Sequence, residues 1–350
     1  MFSAPTVVAM DSRHEPGHFA GTRLHVVTGK GGTGKTTVAA ALAIALARQG
    51  KRVLIAEVEG RQGISQTFNV PPLAGQDERI FADRSGGEIH GISVDAKESL
   101  LEYLQMFYKL GRAGSVLEKV GAIDFATTIA PGVRDVLLIG KIYEAAGRRT
   151  GGRRGTGDLV YDAVVLDAPP TGRIVRFLNV NHEVADIARM GPIKSQADSI
   201  TRMVRHPSTH VHLVTLLEEM PVQETIDAIA ELRAAEFHVG AILVNQVRDP
   251  LLTEDEFAAI SAGTAAEREQ MVEAVRADLV GAGVKATKIT VRGLLAQAGD
   301  LADRVRLQQR EDTVLAEQDV PLAHLPALPG GVEDGGLSVL ADILTEEGIV

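Results

Sequence analysis

The sequence predicts an α/β fold: a doubly wound, mostly parallel sheet with an inserted helical subdomain. Three observations predict it. Short β-branched runs alternate with longer helical patterns along the chain. Most of these runs are apolar through their length, as strands covered on both faces must be. A glycine-rich turn follows the first run and opens onto the helix-forming stretch "KTTVAAALAIALARQG", the strand–turn–helix order of a phosphate-binding unit.

Taken in order, the expected strands are residues 23–28 (RLHVVT), 52–58 (RVLIAEV), 89–94 (IHGISV), 161–167 (YDAVVLD), 210–217 (HVHLVTLL) and 240–245 (GAILVN). Residues 320–326 (VPLAHLP) add a late one. Helical patterns fill residues 97–147 and 182–207, both between strands, and together make the expected helical subdomain. Residues 1–21, the arginine- and glycine-rich loop 147–158 and residues 329–336 read as flexible segments, and one domain is expected over 22–346. The closing "LSVLADILTEEGIV" has the apolar spacing of a packed helix. It carries no Lys or Arg, unlike a helix that lies on a membrane surface.

Composition bounds the function. At 45% hydrophobic and 23% charged residues, the 350-residue chain belongs with globular proteins. A formal net charge of -10 repels phosphate backbones, so nucleic acid is not an expected partner. With no cysteine there is no disulfide, no thiolate zinc site and no thiolate arsenite site. The longest apolar run, "VAAALAIALA", is about half of what a bilayer span needs. No secretory signal pattern opens the chain, so a cytoplasmic protein without an integral membrane segment is expected.

The chemistry concentrates in "TGKGGTGKTT", residues 28–37. Gly29, Gly34, Lys35 and Thr36 satisfy the phosphate-loop pattern G-x-x-x-x-G-K-[ST]. Such a loop turns its backbone N–H groups toward the phosphates, aided by the helix N-terminus behind it. Gly29, Lys30, Gly31, Gly32, Thr33, Gly34, Lys35, Thr36 and Thr37 are therefore the expected phosphate contacts. Lys35 supplies charge to the β- and γ-phosphates, and Thr36 a hydroxyl to Mg²⁺. The expected cofactors are ATP and Mg²⁺. By contrast, "HEPGH" at 14–18 matches H-E-x-x-H only in letters, because Pro16 and Gly17 break the helix that would align its histidines.

Lys30 is the second lysine of the loop, and "GKGGTGKT" resembles the deviant Walker A loop, in which that early lysine reaches the partner subunit's phosphates. Later segments narrow the resemblance to the arsenite-pump and tail-anchored-protein-targeting ATPase family, in its bacterial, actinobacterial form. "VVLDAPPTGRIVRFL" (164–178) is similar to that family's second switch, which implies Asp167 as a ligand of a Mg²⁺-bound water. "IAEVEGRQGISQTF" (55–68) aligns with its first switch, which implies Glu59 as the group that positions the attacking water. "LLEEMPVQET" resembles the segment after the next strand, with Glu218 at an acidic position. "LVNQ" puts Asn245 where the family reads adenine, "LPALP" places Pro326 in its adenine loop, and "IAPGVRDVL" resembles an altered helix start.

Three departures qualify what is inherited. Glu59 stands where the family has aspartate, Arg173 where it has histidine, and the cysteines of the arsenite and zinc sites are absent. Arg173 either stabilises transition-state charge or anchors an acidic group. The stretch between Asn181 and His210 is too short for the long methionine-rich insertion that grips membrane segments. The resemblance implies an ATPase that works as a homodimer, or as a heterodimer with a related chain, on an unidentified protein client. The alternative is a nucleotide-gated binding module with little hydrolysis of its own.

Overall fold

The computed structural model describes residues 17–99, 131–180 and 192–350, apart from 59, 61, 97, 152–156, 329, 334 and eight positions within 251–263. Eight strands form one sheet: β1 (Leu24–Gly29), β2 (Arg52–Val58), β3 (Glu78–Ala82), β4 (Glu88–Val94), β5 (Ala163–Asp167), β6 (Thr209–Thr215), β7 (Val239–Val247) and β8 (Leu322–Pro326). Their order is β3-β4-β2-β5-β1-β6-β7-β8. All neighbours are parallel except β3, which turns back antiparallel on β4. The seven strands expected from the sequence are all present, and β3 is an additional edge strand.

One face of the sheet is covered by α1 (Lys35–Arg48), α2 (Gly63–Thr67) and α9 (Gly336–Glu346). Residues Val38 to Ala47 of α1 are all buried, which explains a helix apolar on every side. Alanine-rich walls let it lie between the sheet and α9, where Arg48 pairs with Asp342 at 2.5 Å. The other face holds α3 (Pro131–Gly147), α4 (Thr171–Leu178), α5 (Pro192–Val204) and α6 (Glu219–Ala234). Helices α3 and α5 pack together and fall within the expected helical subdomain, of which 97, 100–130 and 182–191 lie outside the described residues.

Two further helices, α7 (Ala265–Gly281) and α8 (Lys288–Ala316), form a hairpin between β7 and β8 that the sequence reading did not include. Few of their apolar side chains are buried: Val272 on α7, and Val291, Val305 and Leu315 on α8. Caps and ion pairs hold the hairpin instead. Thr264 and Glu267 form a reciprocal capping box, Thr287 caps α8, and Glu269 meets Lys288 at 3.2 Å and Arg292 at 2.6 Å.

The domain extends beyond the bounds expected for it. From Gly17 the chain is packed: His18 N donates to the Gly348 carbonyl, Phe19 N to that of Ile349, and Phe19 is buried. Residues 17–21 of the segment expected to be flexible are thus packed, and the rest of that expectation lies outside the described residues. In the 147–158 loop, Arg149 bridges to Leu159, and Arg148 pairs with Asp77 at 2.7 Å and Glu144 at 3.0 Å. Tyr161 also donates to Asp77, and these partners hold the Asp77 carboxyl at about 2 despite its partial burial.

Candidate active site

The sheet reverses its winding at β1, with β5 on one side and β6 on the other, and the chemistry gathers at the carboxyl ends there. β1 ends on Gly29, β5 on Asp167, and Glu57 near the end of β2 lies in register with Asp167. Close packing leaves no room for a side chain at the first and last glycines of the loop. A Cβ on Gly29 would fall 2.1 Å from the Val214 carbonyl oxygen, and one on Gly34 would fall 2.3 Å from the Asn245 amide nitrogen. Gly34 also has φ +87°, a conformation that costs a side-chain-bearing residue about 1–3 kcal/mol. Gly34→Ala is accordingly expected to weaken MgATP binding at least about tenfold, the equivalent of about 1.4 kcal/mol. Titration with a fluorescent ATP analogue checks this, with circular dichroism to confirm folding.

Within the loop, the Lys30 carbonyl accepts hydrogen bonds from Thr33 Oγ1 at 3.0 Å and from Lys35 Nζ at 3.1 Å. The ammonium of Lys35 is therefore drawn across the mouth of the loop. Thr36 Oγ1 donates to Asp167 Oδ2 at 2.6 Å. A hydroxyl and a carboxylate in direct contact are the hard oxygen donors that suit Mg²⁺. Lys35, Thr36 and Asp167, with Gly31, Gly32, Glu57 and Pro169, line a cavity of about 310 Å³. Thr37 is half-buried on the first turn of α1 and is not among the lining residues. Among the described residues, no group of three or more His, Cys, Asp or Glu side chains is arranged for a metal.

The segment likened to the family's second switch is tied to the sheet from two sides. Thr28 Oγ1 donates to the Pro169 carbonyl at 2.7 Å, and Ala168 N donates to that of Val27 at 2.9 Å. Arg173 on α4 lies 3.8 Å from the buried carboxylate of Asp135 on α3, so it has an acidic group to anchor. Lys30 Nζ lies 2.9 Å from Glu224 Oε1 on α6.

Glu59 lies outside the described residues. The acid that the structure does place at this end of β2 is Glu57, 2% exposed, which the sequence reading passed over. It accepts from Gln62 N at 2.7 Å, Ile64 N at 3.1 Å and Ser93 Oγ at 2.9 Å. Glu57 therefore fastens the loop leading into α2 onto the strand end. That loop brings Gly63 against the Thr36 side chain, which joins the first switch to the phosphate loop.

Asn245, near the end of β7, donates from Nδ2 to the Thr33 carbonyl at 2.9 Å and accepts at Oδ1 from Gln246 N at 3.0 Å. It forms one wall of a second cavity of about 500 Å³, beside the loop. Leu216, Leu217 and Glu218 supply another wall, and Arg304, Leu307 and Gln308 of α8 close it. Pro326 ends β8 in register with Val247 and is not among the lining residues.

A phosphate loop at the switch point of a parallel sheet, with a hydroxyl and a carboxylate converging beside its lysine, defines a P-loop nucleoside triphosphatase. The family model for anion-transporting ATPases matches residues 22–207, more than half of the chain, and the chain belongs to that family. It is 45% identical over 334 residues to ATPase BagA of Mycobacterium tuberculosis, covering 95% of this chain and 96% of that protein. A provisionally named arsenical pump-driving ATPase of Chlorobaculum tepidum is 27% identical over 270 residues, 65% of this chain and 62% of its own. ATPase GET3 of Kluyveromyces lactis is 26% identical over 255 residues, covering 63% and 71% respectively. This chain is thus an ATPase by family, and no helix among its described residues is long and apolar enough to cross a membrane.

Proposed function

We propose that the chain binds MgATP and hydrolyses it as a dimer, coupling nucleotide state to dimer conformation and through it to a protein client in the cytoplasm. The observation that carries this reading is the contact of Thr36 with Asp167, 2.6 Å long, in the same cavity as Lys35. Lys35 and the loop amides hold the phosphates, Thr36 would hold Mg²⁺ and Asp167 a water bound to it, and the ion would neutralise phosphate charge. Glu57 positions the first-switch loop, and Glu59 is the candidate for orienting the attacking water. The cavity against Asn245 takes the base and ribose, with adenine preferred on the family likeness at Asn245 and Pro326.

Dimerisation enters through Lys30, which by that likeness acts on the phosphates of the neighbouring subunit. A homodimer is the simplest assembly, and a heterodimer with a related chain satisfies the same chemistry. The test is Mg²⁺-dependent ATP turnover per chain, measured against protein concentration. Turnover per chain that climbs to a plateau supports the shared-site enzyme. Negligible turnover at every concentration, with MgATP still bound, favours a nucleotide-gated module that needs a second subunit.

A further inference from the structure

A cation that serves a neighbouring subunit must rest somewhere when that neighbour is absent. In the single chain, Lys30 Nζ rests on Glu224 Oε1 at 2.9 Å. The other oxygen of the same carboxylate, Oε2, accepts a hydrogen bond from Thr171 Oγ1 at 3.3 Å. Thr171 is the buried first residue of α4, four positions after Asp167. One side chain on α6 therefore touches both the phosphate loop and the start of the switch helix.

We propose that Glu224 is a positioning residue for ATP hydrolysis, holding Lys30 within its own subunit until a nucleotide-loaded partner arrives. This rests on the reading that Lys30 acts across a dimer. Three features fit a resting contact better than a structural one. The Lys30 backbone is fixed separately, through its carbonyl bonds to Thr33 and Lys35, so the side chain can swing without loosening the loop. The pair is partly exposed, at 31% and 37% of the two side chains, so water and salt weaken it and its release is easy. A buried pair would leave a charge stranded on opening.

The third feature is the link to the switch. Thr171 orients the Glu224 carboxylate, so a shift of the α4 start changes how firmly Lys30 is held. Met220 lies one helical turn before Glu224, on the same side of α6, and is 60% exposed. That side of the helix is open to an approaching subunit.

The test is Glu224→Gln, which keeps an oxygen for Thr171 and removes the charge that holds Lys30. The protein concentration giving half-maximal turnover is expected to fall, by up to about fivefold, the range of a partly exposed ion pair. KM for ATP is the internal comparison. A KM that moves while the half-maximal concentration stays fixed or rises overturns the proposal, because Glu224 then acts inside the nucleotide site. In a Lys30→Ala background the same substitution is expected to shift nothing further.

A second readout does not depend on turnover. Acylation of the Lys30 ε-amine in nucleotide-free protein, followed by mass spectrometry with an exposed lysine as reference, is expected to run several-fold faster in Glu224→Gln. Equal rates overturn the resting contact whatever the ATPase does. Faster labelling in a protein whose turnover ignores concentration keeps the contact and removes the dimer reading instead.

Discussion

Lys30→Ala is expected to lower ATP turnover by about 10³-fold, the lower end of what a cation supplied from a second chain contributes to phosphoryl transfer. MgATP binding should survive, because Lys35, the loop amides and the Thr36–Asp167 pair remain in place. Asp167→Asn gives a comparable loss by another route. It keeps the shape of the side chain and removes the negative charge that Mg²⁺ requires. The two variants then test each other. A Lys30→Ala subunit retains an intact phosphate site but offers its neighbour nothing, whereas an Asp167→Asn subunit still offers Lys30. Mixed at equal concentration, the two are expected to recover turnover that neither has alone. If Lys30 serves its own nucleotide, each variant disables itself and mixing recovers nothing. Turnover of the separate and mixed variants decides between these outcomes, with nucleotide binding measured in each.

Much of the frame was legible because of how parallel sheets are built. Strands such as "AVVLD" and "GAILV" are buried on both faces and so stand out as continuous apolar runs. β3 did not stand out: "ERIFA" is a short, half-exposed edge strand whose pairing comes from its turn to β4. The α7–α8 hairpin escaped for the opposite reason. Its helices have no broad apolar stripe, and the contacts that mark them are caps and the exposed Glu269–Lys288–Arg292 cluster. Its consequence for the site, a wall of Arg304, Leu307 and Gln308 over the second cavity, escaped with it.

The phosphate loop and Thr36 stood out by a spacing that a phosphate ligand dictates, and Asp167 by the likeness of its segment to a family switch; the fold brings Thr36 and Asp167 into contact. Glu57 and Glu224 did not stand out, since neither belongs to a spacing. A lone acid inside "RVLIAEV" shows its purpose only when β4 brings Ser93 into register beside Glu57 and α2 presents two backbone N–H groups to it. Glu224 is one of several acids on α6, and only the helix's rotation against the loop selects it over Glu219. Local patterns reveal groups that face the nucleotide. Groups that face those groups require the packing.

Far from the nucleotide, the start of the same sheet carries a second large effect: the protein is expected to lose stability steeply as pH falls below about 6.5, the ordinary histidine value. His25 on β1 and His212 on β6 are fully buried, with rings stacked and His25 Nδ1 3.1 Å from His212 Nε2. The Ala241 backbone N–H donates to His212 Nδ1 at 3.0 Å, so the proton of His212 sits on Nε2 and is donated to His25. The proton of His25 must then sit on its own Nε2, which has no hydrogen-bonding partner in the structure. Both rings are thus built in as neutral. Burial, and then the nearby His210, lower His212 to about 3, while burial, His212 and Lys51 hold His25 well below its usual value.

In the unfolded chain both rings titrate normally, so on acidification the unfolded state takes up protons that the folded state refuses. The stability they contribute is complete above about pH 6.5 and drains away as pH falls toward the folded values. For His212 alone the loss is about 2 kcal/mol by pH 5, and the lowered value of His25 adds to it. The His212 loss alone is a sizeable fraction of the stability of an ordinary domain. Urea unfolding at pH 7.5, 6.5, 5.8 and 5.0 measures it, in wild type and in His25→Gln. The glutamine still offers an acceptor to His212 and cannot charge, so its stability should fall less with acid, by up to one proton's worth of slope, about 1.4 kcal/mol per pH unit. A wild-type stability that stays level from pH 7 to 5 would show that the pair accepts a proton in the fold, and the tautomer chain from Ala241 to His25 would then be wrong.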